Sequence, residues 1–399
     1  MYMDSKKLLT FIKRHPLYET HQSIQFSELS RTLLDKLVNK IHLGQNAWKL
    51  DTTYSEYILG KDQFPKGADF YHIVDEIREE IETFSKIGKR YSFTIGTRPI
   101  VIYTIYPYKT KVDAKKIYKL LDESVKKMYY WLYAADKFAP KECSRELVIY
   151  WYLTDRKKHI PRGAANIPLD EIHANTAFTK ACPIESNSIY IFRKEEWFKV
   201  FIHETFHSLG MDFAAMSDIY AKKAMISIFP VKCDLRFYEA YTETWAEIIN
   251  ILFLCMEKRG GLVYQHLERL LDAERFFSIF QKTKVLQHHK MNYRDICSPS
   301  NYTENTNVFS YYILKSIFLF FCNDFVEWCA LKNKGTIAFK KTPLNIVSLV
   351  DFIKSKYKDP AYLHTIKQME EWMTKTNEKG FEMTTMRMSA HEGDDIDLS

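Results

Sequence analysis

The chain has 399 residues, a length that fits one large domain with an appendage, or two domains. A hydrophobic fraction of 46% and a charged fraction of 27% exclude a disordered or fibrous protein and allow a sizeable core. The net charge of +7 is modest, and with no long Lys/Arg block and no aromatic-basic motif it gives no sign of a nucleic-acid interface.

The 27 Phe, 26 Tyr and 7 Trp, set against only 12 Gly and 12 Pro, predict a compact, helix-rich protein with few long loops. The seven cysteines (Cys143, Cys182, Cys233, Cys255, Cys297, Cys322 and Cys329) include no C-x-x-C pair, and several lie in apolar helical stretches. They read as buried free thiols of a reducing compartment. The first residues lack the apolar run of a signal peptide, so a cytoplasmic or other intracellular location is expected. The most membrane-like stretch, residues 308–322, is short and carries Lys315, and reads as a buried helix rather than a span.

In chain order, residues 1–88 read as an N-terminal helical region. Apolar residues recur at helical spacing over 25–43 and 73–87, and 44–66 shows neither period. Residues 91–106 are β-branched and aromatic, and the break at Gly96-Thr-Arg-Pro99 predicts a hairpin. A helix follows over 113–136 and a strand over 146–154, then two short strands at 174–179 and 188–192. From Lys194 onward nearly everything reads as helix: 194–209, 235–257, 262–287, 307–331 and two more before Thr376. The polar tail 379–399, ending in an acidic run, reads as disordered. The order is helices, a small sheet, then helices, which is an α+β arrangement. The domain reading is 1–88, 89–378 and 379–399.

The segment Phe201-Ile-His-Glu-Thr-Phe-His-Ser-Leu-Gly210 contains H-E-x-x-H. On a helix, His203 and His207 share one face a turn apart, so both imidazoles can reach one metal, with Glu204 beside them. The pattern arises by chance in about one chain in a hundred of this length. Its context is a strand running into an apolar helix, with Glu195 and Glu196 in the expected first turn.

A catalytic zinc needs a third protein ligand. The H-E-x-x-H-x-x-G-x-x-H route fails, because Phe213 occupies the last position and Asp212 lies one residue early. Downstream, Glu239, Glu243 and Glu247 stand at i, i+4 and i+8 on a helix that is otherwise mostly apolar. A mostly apolar helix rarely keeps carboxylates without partners, so this ladder is the candidate source.

With these residues in place, the chain resembles zincin metallopeptidases of the gluzincin type, in which H-E-x-x-H is followed by a helix bearing E-x-x-x-D/E. The segment Glu243-Thr-Trp-Ala-Glu247 looks most like that second motif. The resemblance covers about residues 146–257. The segments Asn175-Thr-Ala-Phe-Thr179 and Arg193-Lys-Glu-Glu-Trp-Phe-Lys-Val are also similar in style to predicted metallopeptidases of giant DNA viruses.

The resemblance implies a zincin-like sheet and active-site helix followed by a helical half. It implies Zn2+ held by His203, His207 and Glu243, with Glu247 supporting a histidine or, with Glu239, serving as the alternative ligand. It also implies peptide hydrolysis through a zinc-activated water with Glu204 as general base. The partner would be a protein or peptide substrate, extended along an edge strand at Asn175, Thr176, Ala177 and Phe178. Tyr238, Tyr241, Tyr311 and Tyr312 are candidate oxyanion donors. The competing reading is a zincin-fold structural or interaction protein, for example a virion component, with a vestigial zinc site.

Overall fold

The structure is a computed structural model that describes residues 3–19, 23–60, 63–161, 167–217, 219–259 and 262–392. It is an α+β protein, with helices throughout and one six-stranded mixed sheet among the described residues. In chain order the elements are α1 (Met3–Arg14), α2 (Glu28–Trp48), β1 (Ser55–Ile58), α3 (Asp75–Thr83), β2 (Ser85–Ile95), β3 (Arg98–Tyr108) and α4 (Ala114–Asp136). Next come β4 (Glu146–Tyr152), α5 (Glu171–Ala174), β5 (Ala177–Thr179), β6 (Ser186–Ile191), α6 (Trp197–Ser208), α7 (Ile219–Ile226), α8 (Phe237–Arg259) and α9 (Tyr264–His288). The last are α10 (Tyr293–Ile296), a π-helix (Phe309–Leu314), α11 (Lys315–Phe320), α12 (Cys322–Lys332), α13 (Pro343–Lys356), α14 (Pro360–Lys375) and α15 (Phe381–Thr384).

The expected division at residues 88 and 378 is corrected. One compact unit comprises residues 34–157 and 175–215, the other residues 1–33, 158–174 and 216–393. Each is discontinuous, which no composition boundary along the chain could reveal. The N-terminal region is also not wholly helical, because β1 and the start of β2 fall within it.

The first unit holds the sheet, in the order β1-β2-β3-β4-β6-β5. The hairpin β2–β3 is longer than its apolar core suggested, pairing Ser85 with Tyr108 through to Ile95 with Arg98. Its two-residue turn begins at Gly96 with φ +61°, the positive φ that the first position of a II′-type turn requires. β3, β4 and β6 run parallel, and β5 closes the sheet antiparallel to β6. Alternation puts Leu147, Ile149 and Trp151 of β4 on the side of α6, where Trp151 meets Trp197 at 4.4 Å between ring centroids. The other side carries a stacked ladder of Tyr103, Tyr150, Tyr190 and Phe178.

Parallel pairing of β4 with β6 sets Glu146 against Ser186 and brings the two entering loops side by side. Cys143 and Cys182 lie in those loops and form a disulfide, with Cα atoms 4.6 Å apart. The expectation of buried free thiols is therefore corrected at these two positions; of the cysteines outside the disulfide, Cys255, Cys322 and Cys329 are buried and Cys233 and Cys297 half-buried.

In the helical unit, α9 packs against α1, α8, α11 and α14. It carries polar residues in its buried face, among them Glu274, Gln281 and Lys284. Buried polar groups need partners, and the chain after α14 supplies them with its own backbone. Lys284 Nζ donates to the carbonyls of Glu382 and Thr385, and Gln281 Nε2 to those of Thr385 and Arg387. Glu274 accepts from Ala390 N, His391 N, Ser389 Oγ and His391 Nδ1. The expected disordered tail is thus corrected as far as Glu392: residues 385–391 are buried. Residues 393–399, which include its acidic run, lie outside the described residues.

The apolar stretch 308–322 is buried as expected, but it is not one regular helix. A π-helix passes into α11, and the backbone breaks at Phe321. Among the described residues no helix is long and apolar enough to cross a membrane.

Candidate metal centre

Helix α6 is buried at all twelve of its positions. A helix buried on every side belongs in a core, and here α4, β5 and β6 pack against it. Trp131 Nε1 of α4 donates to Thr205 Oγ1 at 2.6 Å, and the Trp131 ring stacks on Phe206. Glu195 and Glu196 precede the helix instead of forming its first turn. Both are buried, and Glu196 has φ +58° and pairs with Lys199. Beside them burial lowers the pKa of the Arg193 guanidinium to about 10.

The helix ends in a Schellman turn. Gly210 N donates to His207 O and Met211 N to Phe206 O, with Gly210 at φ +62°. That reversal returns Asp212 to the helix end, where its carboxylate pairs with His207 Nδ1 while its other oxygen accepts from Ala214 N. Asp212 sits one residue short of the last position of H-E-x-x-H-x-x-G-x-x-H, yet it is well placed to fix the ring orientation and tautomer of His207.

The two imidazoles then present Nε2 atoms 2.9 Å apart. Two nitrogens bound to one tetrahedral zinc stand about 3.3 Å apart, so a small ring movement admits the ion. Glu204 is buried beside them in the chain, 6% exposed.

The carboxylate ladder lies on α8, and all three members are buried. Their surroundings differ. Glu239 accepts from Asn307 Nδ2 at 3.1 Å and from Tyr311 OH at 3.2 Å. Tyr311 belongs to the π-helix, a local widening often found at functional sites. Glu247 is held by Lys315 Nζ at 2.5 Å, and that ammonium also donates to Met388 O. Burial raises the Glu247 carboxyl well above its ordinary pKa, against the pull of Lys315.

His203, His207 and Glu239 form a buried group that could hold a metal ion, with one ligand atom of each within 4.8 Å of the others. Glu239, the alternative register, takes the place in this group expected of Glu243. Glu247 has Lys315 as its partner, and the carboxylate on a site histidine belongs to Asp212.

Of the tyrosines, Tyr241 donates to Ile337 O and Tyr312 to Met386 O, both core roles, whereas Tyr311 reaches Glu239. Asn175 and Thr176 precede β5: Asn175 O accepts from Arg193 Nε and Thr176 O from Phe192 N. Ala177 and Phe178 lie in β5, the end strand of the sheet, and Phe178 stacks on Tyr190.

Sequence reasoning missed Asp212, Asn307 and Lys315 as members of these networks. Asp212 alone left a signal, an acid just after the helix-ending glycine. No protein-family model, curated protein or solved structure matches the chain, so any functional reading rests on these residues.

Proposed function

We propose that this chain is a zinc-dependent peptidase of the gluzincin kind, with His203, His207 and Glu239 as the metal-binding residues. The observation that carries the reading is the buried His203–His207–Glu239 group with Glu204 set between the histidines in sequence. The donor set fits zinc: two neutral imidazole nitrogens and one carboxylate oxygen are a common three-ligand catalytic combination. Zinc held there would supply Lewis acidity toward a carbonyl and toward water.

The chain's own residues do the rest. Asp212 holds the His207 ring through Nδ1, leaving Nε2 as the donor atom. Asn307 and Tyr311 hold the Glu239 carboxylate. Glu204 takes the proton from the attacking water and returns it to the leaving amine. The end strand β5 offers an extended peptide a backbone to pair with, next to Asn175 and Thr176.

Two variants test this. Glu204→Gln should retain zinc and lose peptide hydrolysis by at least about a hundredfold, the usual scale of a general base. Glu239→Gln should lose zinc, while Glu243→Gln keeps it. A wild-type protein that binds zinc with no hydrolysis of a peptide library would favour a vestigial site instead. A wild type that binds no zinc would sink both readings.

A further inference from the structure

The segments joined by the Cys143–Cys182 disulfide also finish the end of α6. Cys182 N donates to His207 O at 3.0 Å. Ser144 Oγ donates to Ser208 O at 2.6 Å and lies 3.0 Å from Ser208 Oγ, which also accepts from Asn187 Nδ2. The last carbonyls of a helix have no partner within it; Ser208 O takes Ser144 Oγ, and His207 O takes Cys182 N alongside Gly210 N of the Schellman turn. The carbonyl of a metal-binding histidine and that of its neighbour are therefore capped from the two loops that the disulfide ties together.

The loops are held in an unfavourable backbone conformation. Ser144 has φ +48° and Cys182 φ +46°, left-handed values that non-glycine residues adopt only where their surroundings enforce them. Ser144 N is bound to Pro183 O, and Arg98 anchors the first loop through the carbonyls of Cys143 and Ser144. Cys143 is fully buried, while Cys182 is partly exposed and gives a reductant its access.

We infer that the Cys143–Cys182 disulfide is a redox latch on the metal helix: closed, it fixes the last turn of α6 and the His207 imidazole; opened, it weakens metal binding. This rests on the metal reading above. A dithiol reductant attacks the Cys182 sulfur, the S–S bond breaks, and Cys143 leaves as thiolate and takes a proton. The reductant's second thiol displaces Cys182, which is protonated in turn. The chain gains two electrons and two protons, and the reductant closes its own disulfide. Ser144 and Cys182 then relax from the left-handed region. The N–H of Cys182 turns from His207 O, the Ser144 hydroxyl leaves Ser208 O, and the end of α6 is held by its Schellman turn alone.

The test uses the full chain and zinc affinity measured by competition with a chromophoric chelator. The reductant is a phosphine, because dithiols themselves bind zinc. Thiol titration of the unfolded, unreduced protein should find five of the seven cysteines free. Reduction should weaken zinc binding by about tenfold or more, the usual effect of releasing a group that orients a ligand. Reoxidation should restore it. The double variant Cys143→Ala/Cys182→Ala should bind zinc as weakly as the reduced protein and ignore the phosphine. Seven free thiols, or equal zinc affinity before and after reduction, overturns the latch and leaves the metal reading intact. No zinc in either redox state overturns both.

Discussion

Lys315 and Glu247 form an ion pair inside the helical unit, with side chains 1% and 0% exposed and 2.5 Å between Nζ and Oε2. At an effective dielectric of about 20 their attraction is of order 7 kcal/mol, most of which offsets the cost of taking two charges out of water. The pair as a whole therefore adds little, but either partner alone is expensive. Lys315→Met strands a carboxylate whose second oxygen already has no hydrogen-bond partner among the described residues, and it also removes a donor from Met388 O. The expected loss is about 3–5 kcal/mol of unfolding free energy. Adding Glu247→Met should recover all but about 1–2 kcal/mol, since two methionines of similar volume can fill the site without charge.

Urea unfolding of the two single variants and the double variant, followed by tryptophan fluorescence, measures the coupling. A separate variant, Glu247→Gln, goes into the zinc competition assay, where it should bind zinc as the wild type does. A Lys315→Met cost below about 1 kcal/mol, or loss of zinc in Glu247→Gln, would refute the assignment of Glu247 to the core and return it to the list of metal ligands.

Two further outcomes follow from the same contacts. Asp212→Asn keeps an acceptor for Ala214 N but no longer holds the His207 imidazole as an anion does, so zinc affinity should fall by about 10–100-fold, or roughly 1.4–3 kcal/mol. Unchanged affinity would remove Asp212 from the site. Glu304 accepts from Tyr302 OH and Phe309 N at the start of the π-helix, and burial pushes its carboxyl pKa up from 4.5 to about 8. A raised carboxyl pKa favours the protonated folded state. Its contribution to stability is therefore complete below about pH 4.5 and is lost as pH rises to about 8, by up to about 5 kcal/mol. Glu304→Gln should show no such decline relative to the wild type over that range; parallel pH–stability curves for the two proteins would contradict the argument.

The sequence alone was enough for the elements whose signal is local. The apolar residues of α2, α4, α8 and α9 recur at helical spacing, and Gly96-Thr-Arg-Pro99 marks the break of the hairpin. H-E-x-x-H puts His203 and His207 on one face whatever else the chain does. That the α8 carboxylates need partners was legible too, because a mostly apolar helix rarely keeps carboxylates without them.

What the sequence could not decide depends on which strand or helix meets which. Glu239, Glu243 and Glu247 are equivalent by spacing, and it is Asn307 and Tyr311 on Glu239 and Lys315 on Glu247, some 70 residues further on, that set the first apart from the last. The same holds for the tail. A polar segment after α14 looks disordered until the buried Glu274, Gln281 and Lys284 of α9 are seen to need its backbone. The disulfide required the parallel pairing of β4 with β6, a nonlocal contact that no spacing of cysteines encodes. Local periodicity settles what each segment is, because it depends only on neighbours a turn or a pleat away. Partnership among buried polar groups is settled by the tertiary structure, because desolvation makes each of them find whichever complement the fold brings within reach.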